Sequence, residues 1–109
     1  MKNYSKNEIV LIKYPFTDLS NFKVRPAVVA NNDFPSYDLI IIPLTSKITN
    51  LHPGEFLIND YTKSGLNVQT AVKRGFYTID KRLVVQSIGF LGDSDSTKLT
   101  QSICYWLGL

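Results

Sequence analysis

The chain has 109 residues, of which 44% are hydrophobic and 19% charged, and a formal net charge of +3. That balance excludes a disordered chain and supplies apolar surface for one globular domain over residues 1–109. The small basic excess permits an anionic partner without establishing one, because the placement of cations matters more than their sum.

The single cysteine, Cys104, rules out an intrachain disulfide. Its neighbours Ile103 and Trp106 predict a buried thiol inside a helix. Met1 to Glu8 is polar and lacks the apolar core of a signal peptide. No apolar run approaches the ~18 residues of a membrane span. A cytoplasmic protein with no membrane association is expected.

Ile9 to Tyr14 reads as a first strand, stopped by Pro15, which has no N–H to give to a ladder. Phe16 to Phe22 is a loop, with turn chemistry from Thr17, Asp18, Ser20 and Asn21. The second strand runs from about Val24 to Asn31, and Asn31, Asn32, Asp33 and Pro35 close it. Asp38 to Leu44 is a third strand whose continuous apolar character predicts burial on both faces. A loop from Ile48 to Gly54 leads to a short strand at Glu55 to Ile58, and Asp60 to Gly65 is a turn ended by glycine. Further strands are expected at Thr70 to Val72, Phe76 to Ile79 and Leu83 to Leu91, with Gly89 marking a bulge or corner in the last.

The tail changes period. Asp93 or Ser94 can cap a helix, and Leu99, Ile103, Trp106 and Leu107 follow on one face. Because no helical crossover separates the strands, the sheet is expected to be mainly antiparallel. Short strands followed by one helix suggest a mainly β fold, a small curled barrel closed at one side by the C-terminal helix.

The run from Lys23 to Asn31 places a guanidinium at the edge of a loop, where an apolar strand begins. Arginine is always ionised, and its fork of donors matches a phosphate bidentately. The third strand ends similarly in Pro43-Leu44-Thr45-Ser46-Lys47, and these two strand ends are expected to meet at an active site. Arg25 can equally anchor its own loop or pair with Asp18, and Thr45 can be simply a good β-former. The one histidine, His52, sits in a surface-turn sequence, Asn50 to Gly54, which favours a structural or ligand-stacking role over catalysis. No carboxylate or Cys/His cluster has the spacing of metal ligands, so neither a metal nor another cofactor is expected.

Glu8 to Asp18, followed by Lys23-Val24-Arg25-Pro26-Ala27-Val28-Val29, resembles the opening of the PemK/MazF family of toxins from type II toxin–antitoxin systems. Pro43 to Ser46, Ser64-Gly65-Leu66, Tyr77 to Leu83 and Gly89-Phe90-Leu91 match its later blocks in order. The chain departs from the family's usual pattern in the loop before the arginine, where Leu19 and Phe22 replace glycines, and at Lys73-Arg74-Gly75, where many relatives carry an acidic or amide residue. The resemblance implies an SH3-like barrel with a C-terminal helix, assembled as a homodimer. It implies a metal-independent endoribonuclease, an mRNA interferase that cuts single-stranded RNA at short motifs. It also implies an antitoxin partner whose disordered segment occupies the RNA groove.

By position, the resemblance ties Arg25 and Thr45 to catalysis. Cleavage by attack of the RNA 2′-hydroxyl needs alignment, stabilisation of charge on the phosphate and proton movement. Arg25 would stabilise that charge, and Thr45 would donate to a phosphate oxygen or orient the hydroxyl. Ser46, Lys23, Lys47, Lys73 and Arg74 are candidates for RNA binding, each cation being equally readable as part of a solvated face. Phe16 and Phe22 are candidate stacking surfaces. Two other readings share the fold: a toxin-fold protein that binds a protein target such as DNA gyrase, and an inactive RNA-binding homologue. An exposed tail at Tyr105 to Leu109 would favour protein binding; a buried one would favour the nuclease.

Overall fold

The computed structural model describes residues 3–14, 23–32 and 38–109. Pro15, the loop from Phe16 to Phe22 with both of its aromatic candidates, and the turn residues Asp33 and Pro35 lie outside them. Among the described residues the strands are β1 (Glu8–Tyr14), β2 (Lys23–Val29), β3 (Asp38–Thr45), β4 (Phe56–Leu57), β5 (Ala71–Val72), β6 (Tyr77–Asp80) and β7 (Val84–Phe90). A 3-10 turn, Lys81–Leu83, precedes β7, and one helix, α1 (Asp93–Leu107), follows it. Every expected strand forms. β2 stops at Val29, short of Asn31, whose side-chain oxygen instead accepts the Ile40 N–H at 2.9 Å.

All pairings are antiparallel, in the order β4-β5-β3-β2-β1-β7, with β6 also on β3. β3 is the hub. One edge pairs with β2; the other carries β6 along Asp38 to Ile41 and β5 along Leu44 and Thr45. Pro43, with no N–H to give, falls in the gap between those two partners, and its carbonyl accepts the Lys73 N–H at 2.9 Å.

Alternation along the central strands divides the apolar residues into two cores. Ile9, Val28, Ile42 and Leu44 join Ile58, Leu66, Val72, Leu91 and Leu99 on the side of α1. Val10, Ile12, Ala27, Val29, Leu39 and Ile41 join Ile79 in the other, against Leu83 and Val84. β3 is thus buried on both faces over most of its length, as its composition predicts, although Ile40 is exposed. Each fully buried aliphatic side chain contributes roughly 1.5–3 kcal/mol.

The sheet does not close into a hydrogen-bonded barrel. Among the described residues, β4 and β7 end the path without pairing. β4 and β5 are only two residues long, too short to reach around, and a turn through Ser64 and Gly65 fills the space beside β7. There the backbones touch: a Cβ on Gly65 would overlap the Ile88 carbonyl, and one on Gly89 would overlap the Ser64 carbonyl. Gly65 also has φ +88°, open to glycine and strained for other residues. Ile88 is the extra residue of a bulge, between the pairs Ile9–Gly89 and Val10–Ser87, so the expected irregularity at Gly89 is present.

Helix α1 is capped at its start by Gly92, with no side-chain cap bond, rather than by Asp93 or Ser94. Both Asp93 and Asp95 lie in the first turn, where they complement the helix dipole. Asp95 is buried, and its two carboxylate oxygens accept the Asn59 N–H at 2.9 and 3.1 Å. Leu99, Ile103 and Trp106 pack on the sheet as expected, but Leu107 is exposed; Asp95 and Ser102 complete the buried face instead. At the far end Gly108, with φ +72°, and Leu109 return N–H groups to the last carbonyls. Cys104 is half-buried rather than fully enclosed. No described helix is long and apolar enough to cross a membrane.

Candidate functional site

The β2–β3 ladder ends at the pair Ala27–Pro43. Pro26 precedes that pair on one strand and Pro43 belongs to it on the other, and neither can donate to a ladder. Beyond it lies a groove of about 750 Å³. Its walls are the ends of β2 and β3, the turn from Gly65 to Val68, and Lys73 and Tyr77. Continuing the register, in which partners sum to a constant, puts Arg25 opposite Thr45, and both residues line the groove.

The groove also gathers Lys23, Ser46, Lys47 and Lys73. Lys23, Arg25, Lys47 and Lys73 are all exposed, and no acidic residue stands among the described lining residues. Four cations therefore share one cleft, a placement that favours an anionic ligand there. Thr45 is half-buried, and its hydroxyl oxygen accepts the Lys47 N–H at 3.0 Å. That contact fixes the oxygen and leaves the hydroxyl proton to be donated elsewhere.

Arg74 is exposed but does not line the groove. Its backbone N–H is held by Glu55 Oε2 at 2.9 Å, while Glu55 Oε1 accepts the His52 N–H at 2.7 Å. Burial works against the Glu55 charge most strongly, but the amides of Arg74 and His52 and the charges of His52 and Lys73 together outweigh it. They hold the carboxyl below its ordinary range. His52 is thus part of a turn and lies outside the groove. That turn is seated on α1: Trp106 Nε1 donates to the Pro53 carbonyl at 2.9 Å, and Ser102 Oγ donates to the Gly54 carbonyl at 2.7 Å. Phe76 meets the Trp106 ring edge-on, with centroids 6.1 Å apart.

The C-terminal tail is divided, with Trp106 docked while Tyr105 and Leu109 are exposed, so it does not separate the nuclease from a protein-binding role. Phe16 and Phe22 lie outside the described residues. Tyr77, Asn67, Val68 and Thr70 line the groove, and reading the residues for chemistry singled out none of them. The signal for Tyr77 was present as an aromatic one position beyond Lys73-Arg74-Gly75-Phe76, on a strand where alternation separates it from its neighbour.

The fold recurs in known structures. A mycobacterial endoribonuclease in complex with its cognate antitoxin superposes with a TM-score of 0.81 at 14% identity, covering 97% of this chain and 96% of that one. The Mycobacterium tuberculosis toxin MazF-mt6 gives 0.77 at 20% identity, over 94% and 97%. A MazE–MazF structure from Deinococcus radiodurans gives 0.74 at 14%, over 100% and 99%. No curated protein matches the sequence at a significant level. The family model described as PemK-like, MazF-like toxin of type II toxin–antitoxin systems matches residues 5–107, which take in every strand, the groove and the helix. With its match extending over nearly the whole chain, the protein belongs to that PemK-like, MazF-like toxin family.

Proposed function

We propose that the protein is a toxin-type endoribonuclease that cleaves single-stranded mRNA at short sequence motifs, by attack of the RNA's own 2′-hydroxyl. The observation that supports this most directly is the convergence of Arg25 and Thr45 on one groove whose described lining residues include further cations and no acid. Lys23, Lys47 and Lys73 would follow the phosphates of a bound strand, with Ser46 as an additional donor. Arg25, at the strand end, would meet the scissile phosphate with paired donors and stabilise the charge that develops on it. Thr45, its oxygen engaged by the Lys47 amide, would donate a hydrogen bond to a phosphate oxygen or orient the attacking 2′-hydroxyl. The route makes a 2′,3′-cyclic phosphate and a 5′-hydroxyl end and requires no metal.

The same reading includes a homodimer, a cytoplasmic location and a cognate antitoxin whose flexible segment competes with RNA for the groove. Mapping the cleavage ends of a long RNA with wild-type protein and with Arg25→Ala tests it.

A further inference from the structure

Resting on the reading of the groove as an RNA site, we propose that Asn67 is a specificity-determining residue, whose side-chain amide reads the edge of one base in the bound strand. The cations of the groove come from the ends of β2 and β3 and from Lys73, just past β5. They suit phosphates, which every RNA sequence presents alike, and so cannot choose among sequences. Choosing a motif needs neutral donors and acceptors that meet base edges. The turn from Gly65 to Val68 brings such chemistry to the groove, and the run from Ser64 to Val72 contains no charged residue. Asn67 is the one carboxamide among the described lining residues.

The amide is unengaged, while the backbone that carries it is fixed. Asn67 is exposed, and its side chain makes no hydrogen bond to another described residue. On one side of it Leu66 is buried in the core, and its N–H donates to the Tyr61 carbonyl at 2.9 Å. On the other side Thr70 is buried, and its carbonyl accepts the Ile58 N–H at 2.9 Å. The Thr70 hydroxyl donates to the Val68 carbonyl at 2.9 Å, so the three residues between these anchors are tied at their middle as well. A turn held in this way loses little backbone freedom when its amide pairs with a base. The carboxamide sets an N–H beside a C=O, and a base edge with an acceptor beside a donor takes both, as adenine does at N7 and N6. An edge with two acceptors, such as guanine O6 and N7, leaves a group unpaired, and that cost is the source of discrimination.

The test maps cleavage of a long single-stranded RNA and scores the base preference at each position around the cuts. Asn67→Ala is expected to relax the motif at one position, lowering the preference there roughly 5- to 150-fold, while the other positions keep theirs. Asn67→Asp keeps the shape but offers only acceptors, and should move the preference at that same position toward a base presenting a donor, such as cytosine at N4. It serves as well if Asn67→Ala does not fold. Gln69→Ala, exposed on the same stretch but outside the groove lining, should cut the wild-type motif. An unchanged motif in the Asn67 variants overturns the proposal, even if their rates fall equally on all sequences, as does wild-type cleavage without base preference. Failure of the wild-type protein to cleave RNA at all removes the RNA reading itself, and the role of Asn67 with it.

Discussion

Arg25 and Thr45 stand opposite each other when the β2–β3 register is carried two residues past its last bridged pair, Ala27 and Pro43. The prolines end the β2–β3 ladder, while Arg25 stays paired to β1 and Thr45 to β5, and both side chains line the groove. Arg25→Ala is expected to reduce kcat for RNA cleavage about 10²–10³-fold, the range for losing one preorganised donor to a developing charge. Arg25→Lys should recover only part of this, because an ammonium keeps the charge but not the fork. Thr45→Ser should retain activity that Thr45→Ala loses. Single-turnover kinetics with matched circular dichroism spectra check all four variants.

Glu55 holds Lys73 and Arg74 in place through the Arg74 amide. Glu55→Ala should therefore weaken RNA binding no more than Lys73→Ala does, and the double variant should be no worse than Lys73→Ala alone. A double-mutant cycle on Kd measures this coupling, and strictly additive effects would disconnect Glu55 from the groove.

Gly65 and Gly89 let the turn and β7 touch backbone to backbone. Gly65→Ala should destabilise the protein by about 1–3 kcal/mol from backbone conformation alone, with the overlap on Ile88 adding to it. Gly92→Ala meets nothing within 4 Å and should change stability far less. Urea unfolding of the two variants side by side makes the comparison.

The Asp80 carboxylate caps the 3-10 turn and pairs with Arg82; the Arg82 side-chain and backbone hydrogen bonds bring its pKa from 3.8 down to about 2. A depressed folded-state pKa contributes stability above the unfolded value, and that contribution is lost as pH falls from about 3.8 toward 2. Glu55, also lowered, adds to the loss with the same sign just below the ordinary carboxylate range. Melting temperatures should therefore fall with acidification in wild type and less steeply in Asp80→Asn, whose side chain does not titrate.

Much of this architecture is legible in the sequence because the strands are strongly apolar and punctuated by Pro, Asn and Gly. The helix face was partly misread: Leu107 sits at helical spacing from Leu99 yet is exposed, while Asp95 is buried because two loop amides need acceptors. That the sheet stays open is a finer detail of this fold that composition does not reveal, because β4 and β5 are two residues long and glycine contact substitutes for hydrogen bonds there. Arg25 and Thr45 were found from a charge and a hydroxyl at strand ends. Tyr77 was not, because one tyrosine among six carries no mark of exposure until the fold places it.

The central claim is metal-independent cleavage of RNA by the groove around Arg25. Incubating purified protein with a long single-stranded RNA in EDTA, and mapping the ends, tests it most directly. Discrete cuts bearing 5′-hydroxyl ends, absent with Arg25→Ala, are predicted. Cleavage that appears only on adding magnesium, or persists undiminished in Arg25→Ala, would contradict it.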